Sequence, residues 1–215
     1  PHGRGLGSSA SAIVGGLALA RSLVLTGEQY MSDEDLITLA TELEGHPDNV
    51  AAAFYGGATI AWLESKINSE GESSNVGRAV SLKVDDRIKA LLLVPENQLS
   101  TAKARKLLPE SISHQDAVLN SSRTALLVHA LAERPDLLFT ATEDLLHQKY
   151  REEAMPKSIA LVEKLRGAGL AAVVSGAGPS VMVLYSGAED EIDQIQSVSP
   201  GFTAMKLAIA KTGVQ

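Results

Sequence analysis

The chain reads as an α+β protein in two parts, residues 1–84 and 85–215, on three features of its pattern. A glycine-rich stretch at the start runs directly into an apolar helical repeat. Two more helical stretches follow before any strand-like run, so helices and strands are segregated and do not alternate. The second part has the order strand, helices, strand, strand, helix, strand, each strand being a short apolar run between turn residues.

Each element has its own signal. Ala10, Ile13, Val14, Leu17, Ala18 and Val24 fall near helical spacing, which predicts a buried helix over residues 8–25 that ends before Gly27. Ser32 with Asp35 reads as a capping box, and Leu36, Ile37, Leu39, Ala40 and Leu43 continue an amphipathic helix to Gly45. Pro47 suits the first position of a third helix, stopped by Gly56-Gly57. Strands are expected over residues 58–63, 80–84 and 88–94, with a polar Ser/Asn/Gly-rich loop over 64–77. Ser100 caps a short helix that Pro109 ends, and longer helices are expected over 114–132, 135–147 and 156–165. Strands over 170–174, 181–185 and 203–209, with a helix over 188–197, complete a ferredoxin-like sandwich.

Composition narrows the function. Nineteen basic against 26 acidic residues give a net charge of −7 without a basic run, which argues against a nucleic-acid partner. No stretch approaches the roughly 18 apolar residues of a membrane span. The absence of cysteine excludes disulfides and thiolate metal sites and fits a cytoplasmic protein. His114, His129 and His147 are spaced too widely to share a helical face and read as structural or solvated.

Four stretches carry chemistry. Gly3, Gly5 and Gly7 precede Ser8-Ser9-Ala10 at a helix start, where free amides and the helix dipole favour phosphate; alternatively, the glycines merely turn the chain into a core helix. The stretch Glu42-Leu43-Glu44-Gly45-His46-Pro47-Asp48-Asn49 gathers carboxylates, an imidazole and an amide at a helix junction, a composition suited to a hard cation but also to an ordinary helix start. Thr101 and Arg105 stand four apart on one helical face, and Ser175-Gly176-Ala177-Gly178-Pro179-Ser180 is a glycine-rich turn between strands.

Pro1-x-x-x-Gly5-Leu6-Gly7-Ser8-Ser9-Ala10 resembles the ATP-binding loop of the GHMP kinases, and residues 175–180 resemble that family's third motif. The Glu-x-x-Gly-His-x-Asp-Asn-Val stretch, the Ser-Thr-x-x-Ala-Arg-x-x-Leu-Pro stretch and Tyr150-Arg151 are similar to the homoserine kinase branch. The resemblance implies a ribosomal protein S5 domain 2-like N-terminal part, incomplete because a strand-rich segment would precede Pro1, and a ferredoxin-like C-terminal domain. It also implies ATP and Mg2+ as cofactors, L-homoserine as substrate and a homodimer.

By that resemblance, Pro1, Arg4, Gly5, Leu6, Gly7, Ser8, Ser9 and Ala10 hold the nucleotide, and Ser9 (alternatively Ser8) and Glu42 hold the metal. Asn49 and Thr101 contact the transferred group, while His46, Arg105, Arg151 and Gly178 serve the substrate. In some members the acid before the Asn acts as base, which makes Asp48 the candidate here. Two other functions fit the same stretches: a mevalonate-type kinase, and a non-catalytic nucleotide-binding fragment.

Overall fold

The structure, a computed structural model, describes residues 2–67, 71, 73–187, 195 and 199–214. Pro1, and all but Ile195 of the helix expected over 188–197, lie outside the described residues. The chain divides into two compact units: an N-terminal unit of Gly7–Lys83 with Ala210–Gln215, and a C-terminal unit of Val84–Ile209 with Pro1–Leu6. The division therefore falls inside the glycine-rich loop, between Leu6 and Gly7.

In the N-terminal unit, α1 (Ser8–Leu23), α3 (Asp33–Glu44) and α4 (Asp48–Tyr55) pack around Ala10, Val14, Leu36, Ile37, Ala40, Val50 and Phe54. The helix expected to run to residue 25 stops at Leu23, and a one-turn helix, α2 (Gly27–Tyr30), follows. The capping box forms as read: the Ser32 hydroxyl accepts from the Asp35 amide, and the Asp35 carboxylate accepts from the Ser32 amide. Gly45 ends α3 in the left-handed region with φ 87°, a conformation that favours glycine.

Strands β1 (Ala58–Ile67) and β2 (Ser73–Leu82) pair antiparallel from Ala58↔Leu82 to Ile67↔Ser73. The polar stretch read as a loop is therefore mostly ladder. Its Ser, Asn and Glu residues misled because the far half of the hairpin is exposed, so the backbone ladder forms there without apolar alternation. Ser65 reaches Asn75 at 3.1 Å and Arg78 reaches Glu64 at 2.9 Å across it. Gly77 is no turn residue either: a Cβ there would lie 2.3 Å from Thr41 Oγ1, so glycine permits α3 to approach β2.

The C-terminal unit is built on an antiparallel sheet of β3 (Lys89–Pro95), β4 (Ala171–Val174), β5 (Val181–Tyr185) and β6 (Phe202–Leu207), in the order β4-β5-β3-β6. The order follows from the chain: β4 and β5 are joined by the short 175–180 turn, and β3 enters between β5 and β6. Leu91, Leu93, Ala172, Val174, Val181 and Val183 point to one face, where Ile159, Val162 and Leu165 of α8 (Pro156–Gly167) cover them. The alternate positions Ala171 and Leu184 join a second cluster with Ala130 of α6 (His114–Ala132) and with Leu138 and Ala141 of α7 (Leu138–Ala141).

The helix expected over 135–147 is broken into a 3-10 turn at Pro135–Leu137, then α7, a turn, and a second 3-10 segment at Lys149–Ala154. Side chains end it by competing for backbone groups. Thr142 Oγ1 bonds the Leu138 carbonyl at 2.8 Å, and the Asp144 carboxylate takes the amides of Leu146, His147 and Gln148. After β3, α5 (Thr101–Lys106) follows Ser100, which occupies the N-cap position but makes no side-chain cap bond, contrary to its reading as the cap.

Candidate active site

The N-terminal unit holds the second half of the glycine-rich loop. Gly7, at φ 64°, is the N-cap of α1, and the first hydrogen bond within the helix runs from the Ser11 amide to the Gly7 carbonyl at 2.9 Å. The amides of residues 8–10 thus have no acceptor inside the helix, and no acid stands in its first turn. A Cβ on Gly7 would meet Asn49 Oδ1 at 3.3 Å, so the Asn49 amide lies directly against the loop. Ala10, expected at the nucleotide, instead buries its methyl in the core and can offer only its backbone.

The carboxylate that reaches the loop is that of Glu44: its Oε2 accepts from Ser9 Oγ at 2.7 Å. Glu42, expected in that place, is exposed. The reason is helical geometry, since residues two apart point about 200° apart around an α-helix. Ile37, Ala40 and Thr41 define the buried face of α3, and Glu44 continues it at the i+7 position from Ile37.

Beyond Glu44, His46 Nδ1 meets the Asp48 carboxylate at short range and its Nε2 lies 4.0 Å from Glu44 Oε1. Asp48 Oδ1 also accepts from the Asn49 amide at 2.7 Å. Asp48, the candidate base, is thus tied to the imidazole and to the start of α4.

A hydroxyl and a carboxylate at 2.7 Å beside a helix start suit a divalent cation carried by phosphate. Without one, the Glu44 charge would oppose a phosphate at the same helix start. Among the described residues no cluster of three or more His, Cys, Asp or Glu forms a complete metal site. Magnesium typically takes one or two carboxylates plus phosphate oxygens and water, so the pair is the share of ligands that such a site needs from protein.

The C-terminal unit holds the first half of the loop, bound to the 175–180 turn. Ser175 Oγ donates to the Gly5 carbonyl at 2.8 Å, and the Ser180 amide donates to the Arg4 carbonyl at 3.4 Å. Arg4 donates from Nε to Pro95 O at 3.0 Å and from Nη2 to Glu96 O at 2.7 Å. Its guanidinium therefore fastens the loop to the end of β3. Leu6, the last residue of this half, is partly buried.

Gly5 has φ 75°, and a Cβ there would lie 2.1 Å from the Ser175 carbonyl oxygen. Gly5→Ala is expected to undock loop from turn, costing about 1–3 kcal/mol in strain and overlap. A thermal melt and a nucleotide titration read it, and an unchanged Tm with unchanged nucleotide affinity would contradict the docking. Gly178 is equally enclosed, with φ 85° and Met155 Sδ at 2.6 Å from a would-be Cβ.

Arg151 is 7% exposed and donates from Nη1 to Gly176 O at 3.1 Å, while its buried Nε has no hydrogen-bond partner. Burial lowers its pKa, Asp144 opposes that, and Arg105 adds to the lowering, so a second guanidinium stands close enough to repel it. Arg105 and Thr101 are exposed on α5. Two neighbouring cations, one with an orphaned buried donor, are an arrangement that a carboxylate satisfies.

Burial would raise the Asp144 carboxyl, but His147 and the amides of Gln148 and Leu146 outweigh it and hold it at about 2. A depressed carboxyl contributes stability above its unfolded pKa, lost as pH falls through the folded value. The contribution is roughly 1–2 kcal/mol after solvent screening. Thermal melts of the unsubstituted protein should therefore steepen between about pH 4 and pH 2 relative to Asp144→Asn; parallel curves would refute the assignment.

The model of the GHMP kinases N terminal domain matches residues 1–57, and that of the GHMP kinases C terminal domain matches residues 122–199. The chain is 47% identical over 214 residues to a homoserine kinase of Streptomyces coelicolor, covering 99% of this chain and 66% of that protein. It is 46% identical to a homoserine kinase of Streptomyces avermitilis, covering 99% of this chain and 67% of that protein. The chain thus spans about two thirds of the length of these relatives. The crystal structure of homoserine kinase from Cytophaga hutchinsonii superposes with a TM-score of 0.76 at 24% identity, covering 99% of this chain and 68% of that one, a likeness of fold. No helix among the described residues is long and apolar enough to cross a membrane.

Proposed function

We infer that this chain, which belongs to the GHMP kinase family, is the part of a homoserine kinase that holds the phosphate loop and the substrate carboxylate. The reaction is transfer of the γ-phosphoryl group of ATP to the hydroxyl of L-homoserine. One observation carries the reading: the 175–178 turn touches both the loop, through Gly5, and a buried arginine, through Gly176, within a single unit. An anion-holding cation pair so placed suits an amino-acid substrate, and the identity to homoserine kinases over 99% of this chain supports it.

The chemistry asks mainly for positioning and charge stabilisation. Amides at the start of α1, with the Gly5–Gly7 backbone, hold the triphosphate, and Asn49, which lies against Gly7, contacts the transferred group. Magnesium, held by Ser9 and Glu44, would neutralise charge on the phosphate oxygens. Arg105 and Arg151 clamp the substrate carboxylate, His46 orients the substrate and Thr101 approaches the transferred group. Asp48 is the acid that would serve as base, and its bond to His46 makes it equally able to orient that ring. The enzyme acts as a homodimer, a state that light scattering reads directly.

An ADP-release assay on the full-length protein, with ATP, magnesium and a panel of L-homoserine, mevalonate and galactose, tests the function. Release with homoserine alone supports it, and release with mevalonate or galactose in place of homoserine overturns it.

A further inference from the structure

Arg151 stands in the 3-10 segment Lys149–Ala154, and the turn that leads into it is wound around one carboxylate. Asp144 accepts from the amides of Leu146, His147 and Gln148 at 3.2, 3.0 and 2.6 Å, and from His147 Nδ1 at 2.9 Å. The turn so formed is fastened on two sides. On one, Gln148 Oε1 accepts from the amide of Val174, the last residue of β4, at 2.8 Å. On the other, one face of α6 holds it: Asp116 lies 3.9 Å from Lys149, Asn120 Oδ1 accepts from the Leu145 amide at 3.1 Å, and Arg123 pairs with Glu143 at 2.6 Å. The spacings of four and three among residues 116, 120 and 123 are those of neighbours on one helical face.

We propose that Asp144 is a positioning residue for substrate binding: it winds and charges the turn that aims Arg151 at the substrate carboxylate, with Gln148 as the strut to β4. The inference rests on the homoserine kinase reading above. Geometry and electrostatics agree on it. Gln148 and Arg151 anchor at Val174 and Gly176, two residues apart, so an error in the turn would move the guanidinium against the very loop it serves. The negative charge of Asp144 also favours the charged form of Arg151, against burial and the like charge of Arg105.

The test is a double-mutant cycle on the full-length protein with Asp144→Asn, Arg151→Ala and both, reading KM for homoserine, KM for ATP and Tm. Asp144→Asn should raise the homoserine KM by about tenfold with the ATP KM within about twofold, and should add less than about twofold in the Arg151→Ala background. Equal loss for both substrates, or a full additive loss on top of Arg151→Ala, overturns the proposal, since a merely structural role would produce either. Should Asp144→Asn fail to fold, Gln148→Ala reads the same selective rise in homoserine KM, and an unchanged KM there overturns the proposal. Absence of homoserine turnover by the unsubstituted protein would sink the functional reading and this inference with it, whereas turnover with the additive pattern removes the inference alone.

Discussion

Glu44→Gln is expected to lower kcat by roughly 100-fold, while Glu42→Gln leaves it within about twofold, although the two acids stand two residues apart in the same sequence motif. Glu44 lies on the buried side of α3 and bonds Ser9 Oγ at 2.7 Å, and its side chain is 11% exposed. Glutamine keeps the size and an acceptor for Ser9 but removes the charge that a divalent cation requires. About 2.7 kcal/mol of transition-state stabilisation corresponds to the 100-fold loss, a modest share for one ligand of a catalytic cation. Manganese in place of magnesium, titrated against both variants, separates cation binding from folding, because a weakened site shifts the metal-dependence curve while a folding defect lowers the plateau. Equal effects of the two substitutions would show that α3 presents neither acid to the loop.

The contrast between these two acids also shows how far the sequence could be read. Motif and composition singled out the stretch from Glu42 to Asn49, yet the choice between Glu42 and Glu44 depended on which face of α3 packs inward. That face was legible in the spacing of Ile37, Ala40 and Thr41, and extending it one further turn selects Glu44. The sandwich order in the C-terminal unit was legible because its strands are short apolar runs, buried on both sides in the case of β3.

Where the reading went wrong, local polarity had two meanings. The hairpin of β1 and β2 keeps its ladder through exposed Ser, Asn and Glu residues, which a composition rule assigns to loop. The segment after Pro135 carries Leu at helical spacing, but Thr142 and Asp144 draw its backbone groups to side chains. The bonds of Arg4 were likewise not legible, because only the three-dimensional path reveals the carbonyls of Pro95 and Glu96 beside it.

Arg151→Ala is expected to have the larger effect on substrate recognition, raising the homoserine KM by about 30-fold or more, with the ATP KM nearly unchanged. The residue is 7% exposed, its Nε has no hydrogen-bond partner, and its bond from Nη1 to Gly176 O at 3.1 Å leaves donors for a carboxylate. Truncating one partner of a buried charge-assisted pair costs about 2–5 kcal/mol, because the carboxylate left behind is desolvated without a partner. Removing Arg105 should cost less, since it is exposed and water can replace it. Removing Arg151 also relieves the repulsion between the two guanidiniums, so the apoenzyme of Arg151→Ala should melt no more than a few degrees below the unsubstituted protein even as binding fails. Arg151→Lys discriminates further: it restores charge but not the planar fork, and should recover only part of the KM. If Arg151→Ala raised the ATP and homoserine KM values alike, its role would be to brace the 175–178 turn against Gly5, and the carboxylate would have to be held elsewhere.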